Sequence, residues 1–267
     1  MPFSFQGDED WSWLGKAVAD LITTNLEQNS PLRVLAAQRQ AKLIRDLGFH
    51  DSTLSDGQAL QLAREARVKS VLLGSVRKTD ETIHLNARLL DTNTGKSLAG
   101  LGPFESSYSQ LHDATGDLSN LLVSALHVEQ ETIPESRVAV SMPASLEAFR
   151  NFIEGKDAAY DLRSSESIEK LTKAVTLDST FIPAYQLLAW QYETRGDPVK
   201  AREVLAKGKP YVSLLSLEEK MRYLSFEASI DRRWKDYATY IEQLLKLRPR
   251  DASLHFSYGR VLYLMTS

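Results

Sequence analysis

The chain has 267 residues, of which 43% are hydrophobic and 25% charged, with a formal net charge of −3 and no cysteine. This is ordinary globular composition with room for two domains; it excludes disulfides, thiolate chemistry and cysteine zinc sites, and leaves the compartment open. Residues 1–135 hold 12 basic and 18 acidic side chains and residues 136–267 hold 20 and 17, two solvated surfaces without the basic stripe of a nucleic-acid binder.

From the start of the chain, Trp13 to Glu27 reads as an amphipathic helix, because Leu14, Ala17, Val18, Leu21, Ile22 and Leu26 share a face. Leu32 to Ala36 has the pattern of a short buried strand. Gln38 to Leu47 reads as a second helix closed by Gly48, and Ser55-Asp56 opens a third that runs to about Ala66. Val68 to Arg77 is a strong strand pattern, and Ile83, Leu85, Ala87 and Leu89 alternate with polar residues as in a half-buried strand. Turn residues at 79–82 and 91–96 make Val68 to Glu105 a three-strand meander, followed by a helix over about Tyr108 to Val128. The order α-β-α-α-β-β-β-α predicts an α/β unit with a mixed sheet over residues 1–130. Residues 131–145 have turn formers and charge without a period and predict a linker.

Residues 146–267 are different. Gly155, Ala189, Ser225 and Gly259 recur at spacings of 34, 36 and 34 in matching surroundings. Self-similarity at that period marks paired helices in an array. The clearest unit runs from about Ile182 to Leu215: Tyr185, Leu188, Ala189 and Tyr192 line a first helix, Gly196-Asp197-Pro198 ends it, and Ala201, Leu205 and Gly208 mark the inner face of a second. Small residues are required where paired helices approach closely. A unit at about Ala148 to Phe181 is less regular, with Glu154 and Ser167 at positions where a large apolar residue and an alanine are usual. A third, about Leu217 to Arg250, carries two extra residues near Pro210 to Ser216 and has Tyr237 in place of the usual alanine. A fourth has only a first helix, Ala252 to Met265. Tyr258, Val261, Leu262, Tyr263 and Leu264 make a poor polar cap, so the chain reads as a fragment of a longer array.

These units resemble tetratricopeptide repeats, about three and a half of them. Pro2-Phe3, Trp13 to Asp20, Leu32 to Leu35, Leu73 to Arg77 and Ala87 to Gly95 resemble the TolB amino-terminal-type domain, also found in FlgO-like proteins. That family carries an apolar strand running into Pro2-Phe3, so the resemblance implies that the first strand of the sheet is missing here. It also implies a bacterial multidomain signalling protein with further domains upstream.

Few motifs suggest catalysis. Asn93-Thr94-Gly95-Lys96-Ser97 is superficially a phosphate loop, but position 90 is Leu90 where glycine is needed and a strand pattern follows the serine. A hairpin turn with positive φ at Gly95 is expected instead. His50, His84, His112, His127 and His255 form no metal-ligand spacing, and no Gly-x-Ser-x-Gly elbow is present. The acidic run Asp8-Glu9-Asp10 reads as a solvated loop. No catalytic, cofactor or metal residues are therefore expected, and the chain is expected to be non-enzymatic.

The repeat register carries a candidate peptide groove onto Phe152, Lys156, Gln186, Trp190, Glu193, Arg222, Phe226, Phe256, Arg260 and Tyr263. Exposed aromatics beside Arg or Lys suit recognition of an extended or helical peptide. The alternative is that Trp190 and Phe226 pack between adjacent helices. The expected partner is thus a protein or peptide, with a small ligand at the α/β domain as a further expectation. No nucleic acid and no membrane span in this chain are expected. The expected role is a sensor or interaction segment of a larger signalling protein. The alternatives are the C-terminal part of a serine/threonine kinase or adenylate cyclase, and a cell-envelope assembly factor similar to FlgO. Cytoplasmic or periplasmic location depends on upstream sequence.

Overall fold

The computed structural model describes residues 3–29, 32–49, 54–126, 142–249 and 251–266. Pro2, His50, His127, Val128, Arg250 and residues 131–141 of the expected linker lie outside them. The chain divides into two compact units, 1–140 and 141–267. The first is a mixed α/β unit and the second an all-α helical repeat array.

In the α/β unit the elements are β1 (Ser4–Gln6), α1 (Trp13–Asn29), α2 (Ala37–Asp46), α3 (Asp56–Glu65), β2 (Ser70–Thr79), β3 (Thr82–Asp91), β4 (Ser97–Ser106) and α4 (Leu111–Ala125). The sheet order is β1-β2-β3-β4, with β1 parallel to β2 and the rest antiparallel. Alternation along β3 sends Ile83, Leu85, Ala87 and Leu89 to one face, all buried. Helices α1 and α4 pack together on this unit, through Leu14, Ala17, Val18 and Leu21 of α1 and Leu111, Leu118 and Leu122 of α4. On the opposite face Ala59 and Ala63 of α3 meet Val71, Leu73 and Leu90. Ser55 caps α3 in a reciprocal box with Gln58. Asp8 likewise caps a 3-10 turn at Glu9–Trp11, accepting from the Asp10 amide at 3.1 Å, which gives one residue of the acidic run a structural task.

Two expectations need correction. Leu32 to Ala36 is not a strand; it has no regular secondary structure and its residues are exposed or half-buried. A strand does form where none was expected, at Ser4–Gln6, which pairs with Ser75, Val76 and Arg77. The place beside Ser75 to Arg77 of β2 is taken by the start of the chain rather than by the apolar run at 32–36. β1 covers only that part of β2, leaving Ser70 to Gly74 paired on the β3 side alone among the described residues.

The helical unit contains α5 (Leu146–Tyr160), α6 (Ser164–Leu177), α7 (Ile182–Thr194), α8 (Pro198–Gly208), α9 (Leu217–Ile230), α10 (Trp234–Leu247) and α11 (Ala252–Thr266). They pack as consecutive pairs, α5 with α6, α7 with α8 and α9 with α10, and α11 packs on α10. The first helices also touch one another in series, α5 to α7 and α7 to α9. The extra residues near Pro210 are absorbed by a 3-10 segment at Lys209–Leu214. Close approach explains the small residues: a Cβ added at Gly155 would lie 2.9 Å from Leu171 Cγ, and one at Gly208 would lie 3.0 Å from Tyr185 Cγ. Glu154 is tolerated because Arg150 and Lys170 both bond its carboxylate. Ser167 is fully buried with its hydroxyl unbonded among the described residues.

Candidate functional site

Five of the ten candidate groove residues meet at one place. Phe152 and Lys156 of α5, Gln186 and Trp190 of α7 and Phe226 of α9, joined by Pro183 and Leu187, line an open depression of about 350 Å³ on the row of first helices. The helical period makes this possible: Phe152 and Lys156 are one turn apart, and Pro183, Gln186, Leu187 and Trp190 form an i, i+3, i+4, i+7 stripe. Phe152 is the floor: it is 8% exposed, and its ring meets Phe181 edge-on with centroids 4.9 Å apart. Trp190 is 37% exposed, and Phe226 is half-buried. Lys156 Nζ sits 5.8 Å from the Phe152 ring centroid, at the edge of the depression. The arrangement offers a broad apolar contact with Lys156 at its edge.

Between α5 and α6, burial alone would raise the Glu154 carboxyl, but hydrogen bonds from Lys170 and Arg150 outweigh it and hold the group below its ordinary value. The first turn of α5 is held by Ser145, whose hydroxyl accepts from the Ala148 amide, and by the Ala144 amide bonding Asp178. The first helix carrying Phe152 and Lys156 is therefore anchored at its start and its middle.

The other five candidates lie elsewhere. Glu193 is exposed on the last turn of α7. Arg222 bonds Glu218 at 2.9 and 3.2 Å, and the buried Glu218 also takes Arg248 at 3.0 Å, so Arg222 belongs to a structural ion network joining α9 to the end of α10. Phe256, Arg260 and Tyr263 sit exposed on α11. Pro183 and Leu187 were absent from the groove derived by register, although their spacing from Trp190 is readable in the sequence.

A second hollow, about 380 Å³, lies on the α3 side of the sheet and is where a small ligand at the α/β domain would be sought. It is lined by Ser4, Gln6, Leu54, Asp56, Leu73, Ser75, Asn86 and Arg88, among others. Arg88 Nη2 contacts both Asp56 carboxylate oxygens, at 2.6 and 2.5 Å, so its charge is already answered. The polar side of the strands was legible in their alternation. That Ser4 and Asp56 would join it was not.

The turn at 91–96 has the expected hairpin form. Gly95 has φ +68°, and Asp91 accepts from the Thr94 amide at 2.7 Å and its hydroxyl at 2.8 Å. These bonds hold the Asp91 carboxyl below its ordinary value. His84 does not stand free in solvent; its Nδ1 is 3.4 Å from Glu105 Oε1. Among the described residues no three His, Cys, Asp or Glu side chains converge as metal ligands. No helix there is long and apolar enough to cross a membrane.

No protein-family model matches the chain, and no curated protein matches it. Among solved structures, it is similar to the LpoB C-terminal domain from Salmonella enterica at 17% identity. That match covers 40% of this chain and 77% of the other, with a TM-score of 0.34, too distant to carry an argument about function.

Proposed function

We propose that the chain is a non-enzymatic protein-interaction segment whose repeats, of the tetratricopeptide type, bind a peptide across the row of first helices. The observation that carries this reading is the depression of Phe152, Lys156, Gln186, Trp190 and Phe226, where three successive repeats each contribute to one apolar surface. Open aromatic surface of this kind suits an anchor side chain of a peptide ligand. The ligand class is therefore a peptide with a large apolar anchor residue. The α/β unit, of the TolB amino-terminal type in this reading, serves as an accompanying sensor domain within a larger bacterial signalling protein.

The test is a displayed-peptide selection on the full chain, followed by titration of the winning peptides against variants. Trp190→Ala should weaken binding by tenfold or more, about 1.4 kcal/mol. Lys156→Ala, at the edge, should weaken it less. Peptides that bind Trp190→Ala as tightly as the parent would remove the depression as the site.

A further inference from the structure

The α/β unit carries its positive charge unevenly. Over residues 1–135 acidic side chains outnumber basic ones by 18 to 12. Four of those twelve, Arg64, Arg67, Lys69 and Lys96, nevertheless meet at one end of the sheet, and all four are exposed. Backbone bonds place them. Lys69 precedes β2, and its carbonyl accepts from the Thr92 amide at 3.0 Å; Lys96 precedes β4, and its carbonyl accepts from the Asp91 amide at 2.9 Å. The two lysines therefore flank the end of β3, ~10 Å apart. Arg64 reaches the same place from α3, its Nε donating to the Thr92 carbonyl at 3.1 Å. Arg67 lies in the turn that joins α3 to Lys69.

Two carboxylates share these segments, Glu65 and Asp91. Asp91 is turned to Thr94, accepting from its amide and its hydroxyl. Among the described residues none of the four cations has an ion-pair partner, whereas Arg88 further along β3 is met by Asp56. Arg67 also occupies a costly place. Its φ is +56°, and the bonds from its amide to the Arg64 carbonyl and from the Val68 amide to the Ala63 carbonyl make it the left-handed residue that ends α3. Gly48 ends α2 in the same way without that cost. A charged side chain is thus held in solvent where glycine would suit the backbone better.

We infer that this end of the sheet binds an acidic segment of a partner protein, its Asp or Glu carboxylates lying on Arg64, Arg67, Lys69 and Lys96. Guanidinium groups suit carboxylates because they offer paired N–H donors. The lysine spacing matches about three residues of extended chain. None of the four lines either hollow, and this open surface suits a ligand whose charges are spread along it rather than a single small anion. The unit's excess of acidic groups decides between short and broad polyanions. An anionic membrane faces many of those groups at once and is repelled. A short acidic segment feels mainly what lies within a Debye length, about 8 Å at physiological ionic strength.

The test is titration of the full chain with a fluorescent hexaglutamate peptide at ~0.1 M salt, where the Debye length is about 10 Å. Saturable binding that strengthens at lower salt is expected, and none with the hexaglutamine peptide. Lys69→Glu with Lys96→Glu should weaken it by about tenfold or more, since two exposed ion pairs become repulsions. Arg77→Glu makes the same change of charge near the far end of β2, ~25 Å away, and should leave binding as it is. Arg67→Gly should weaken binding by about threefold with an equal or higher melting temperature, which the loss of a merely structural arginine would not give. Trp190→Ala should have no effect, so the result is separable from the groove on the repeats. Three results would overturn the inference: no saturable binding, binding indifferent to the double lysine variant, or tighter binding through the same lysines to inorganic phosphate or to phosphatidylglycerol vesicles.

Discussion

The α/β unit and the helical unit are stabilised by different kinds of contact. In the first, a strand at Ser4–Gln6 is held by residues around position 76, and α4 packs back on α1. In the second, burial runs from one helix to the next: one apolar cluster spans Ile182 to Ile230 and another Met221 to Val261. Contacts of long sequence separation make a unit that stands or falls together, whereas nearest-neighbour contacts let stability vary along the array.

Cavity mutants test this difference most strongly. Leu85 and Leu205 are both fully buried. Leu85→Ala and Leu205→Ala should each cost ~2–5 kcal/mol. Hydrogen exchange should rise across β2, β3 and β4 together in the first. In the second it should rise most in α7, α8 and α9 and fade toward α5 and α11. An equal rise over every helix would break the comparison.

The next effect, ~1–3 kcal/mol, is overpacking between paired helices. Ala189 and Ala201 are both at 0% exposure, and either Ala→Leu change should lower the melting temperature. Gly155→Ala should do so more weakly, because its new methyl meets Leu171. Gly259→Ala should act in the opposite direction by up to ~1 kcal/mol, since an exposed helical glycine is replaced by a better helix former. Glu193→Ala should change stability by ~0.5 kcal/mol or less. If both leucine variants melt like the parent, the repeat register is wrong.

The smallest effect is electrostatic. The Glu154 carboxyl is held below its ordinary value of 4.5, so it binds its proton less readily folded than unfolded. Its contribution is present above pH ~4.5 and is lost as pH falls through the folded value. The expected size is about 1 kcal/mol or less, because the carboxylate is still 24% exposed. Glu154→Gln should destabilise at neutral pH and narrow the difference from the parent in melting scans taken toward pH 3. A constant difference would assign the effect to packing.

Much of the helical unit was legible in the chain itself. The contacts that bury Gly155, Ala189 and Ser225 are made within one repeat, so the residues that touch recur at the period of the structure. The meander from Ser70 to Ser106 was legible for a similar reason, since its strands pair with their neighbours and alternate side to side. The groove was half legible: register named residues at one turn's spacing on each first helix, but could not tell that Arg222 would be drawn into the Glu218 network.

What only the tertiary structure decided is which distant segments meet. Leu32 to Ala36 and Ser4 to Gln6 are both short, and neither pattern says which will find an edge of β2. The answer depends on where α1 returns the chain, through Phe3, whose amide bonds the Gly15 carbonyl at 3.2 Å. Periodicity records contacts made at a constant distance along the chain. A pairing such as Ser4 with Ser75 occurs once, repeats nowhere, and is fixed by the packing of every element between them.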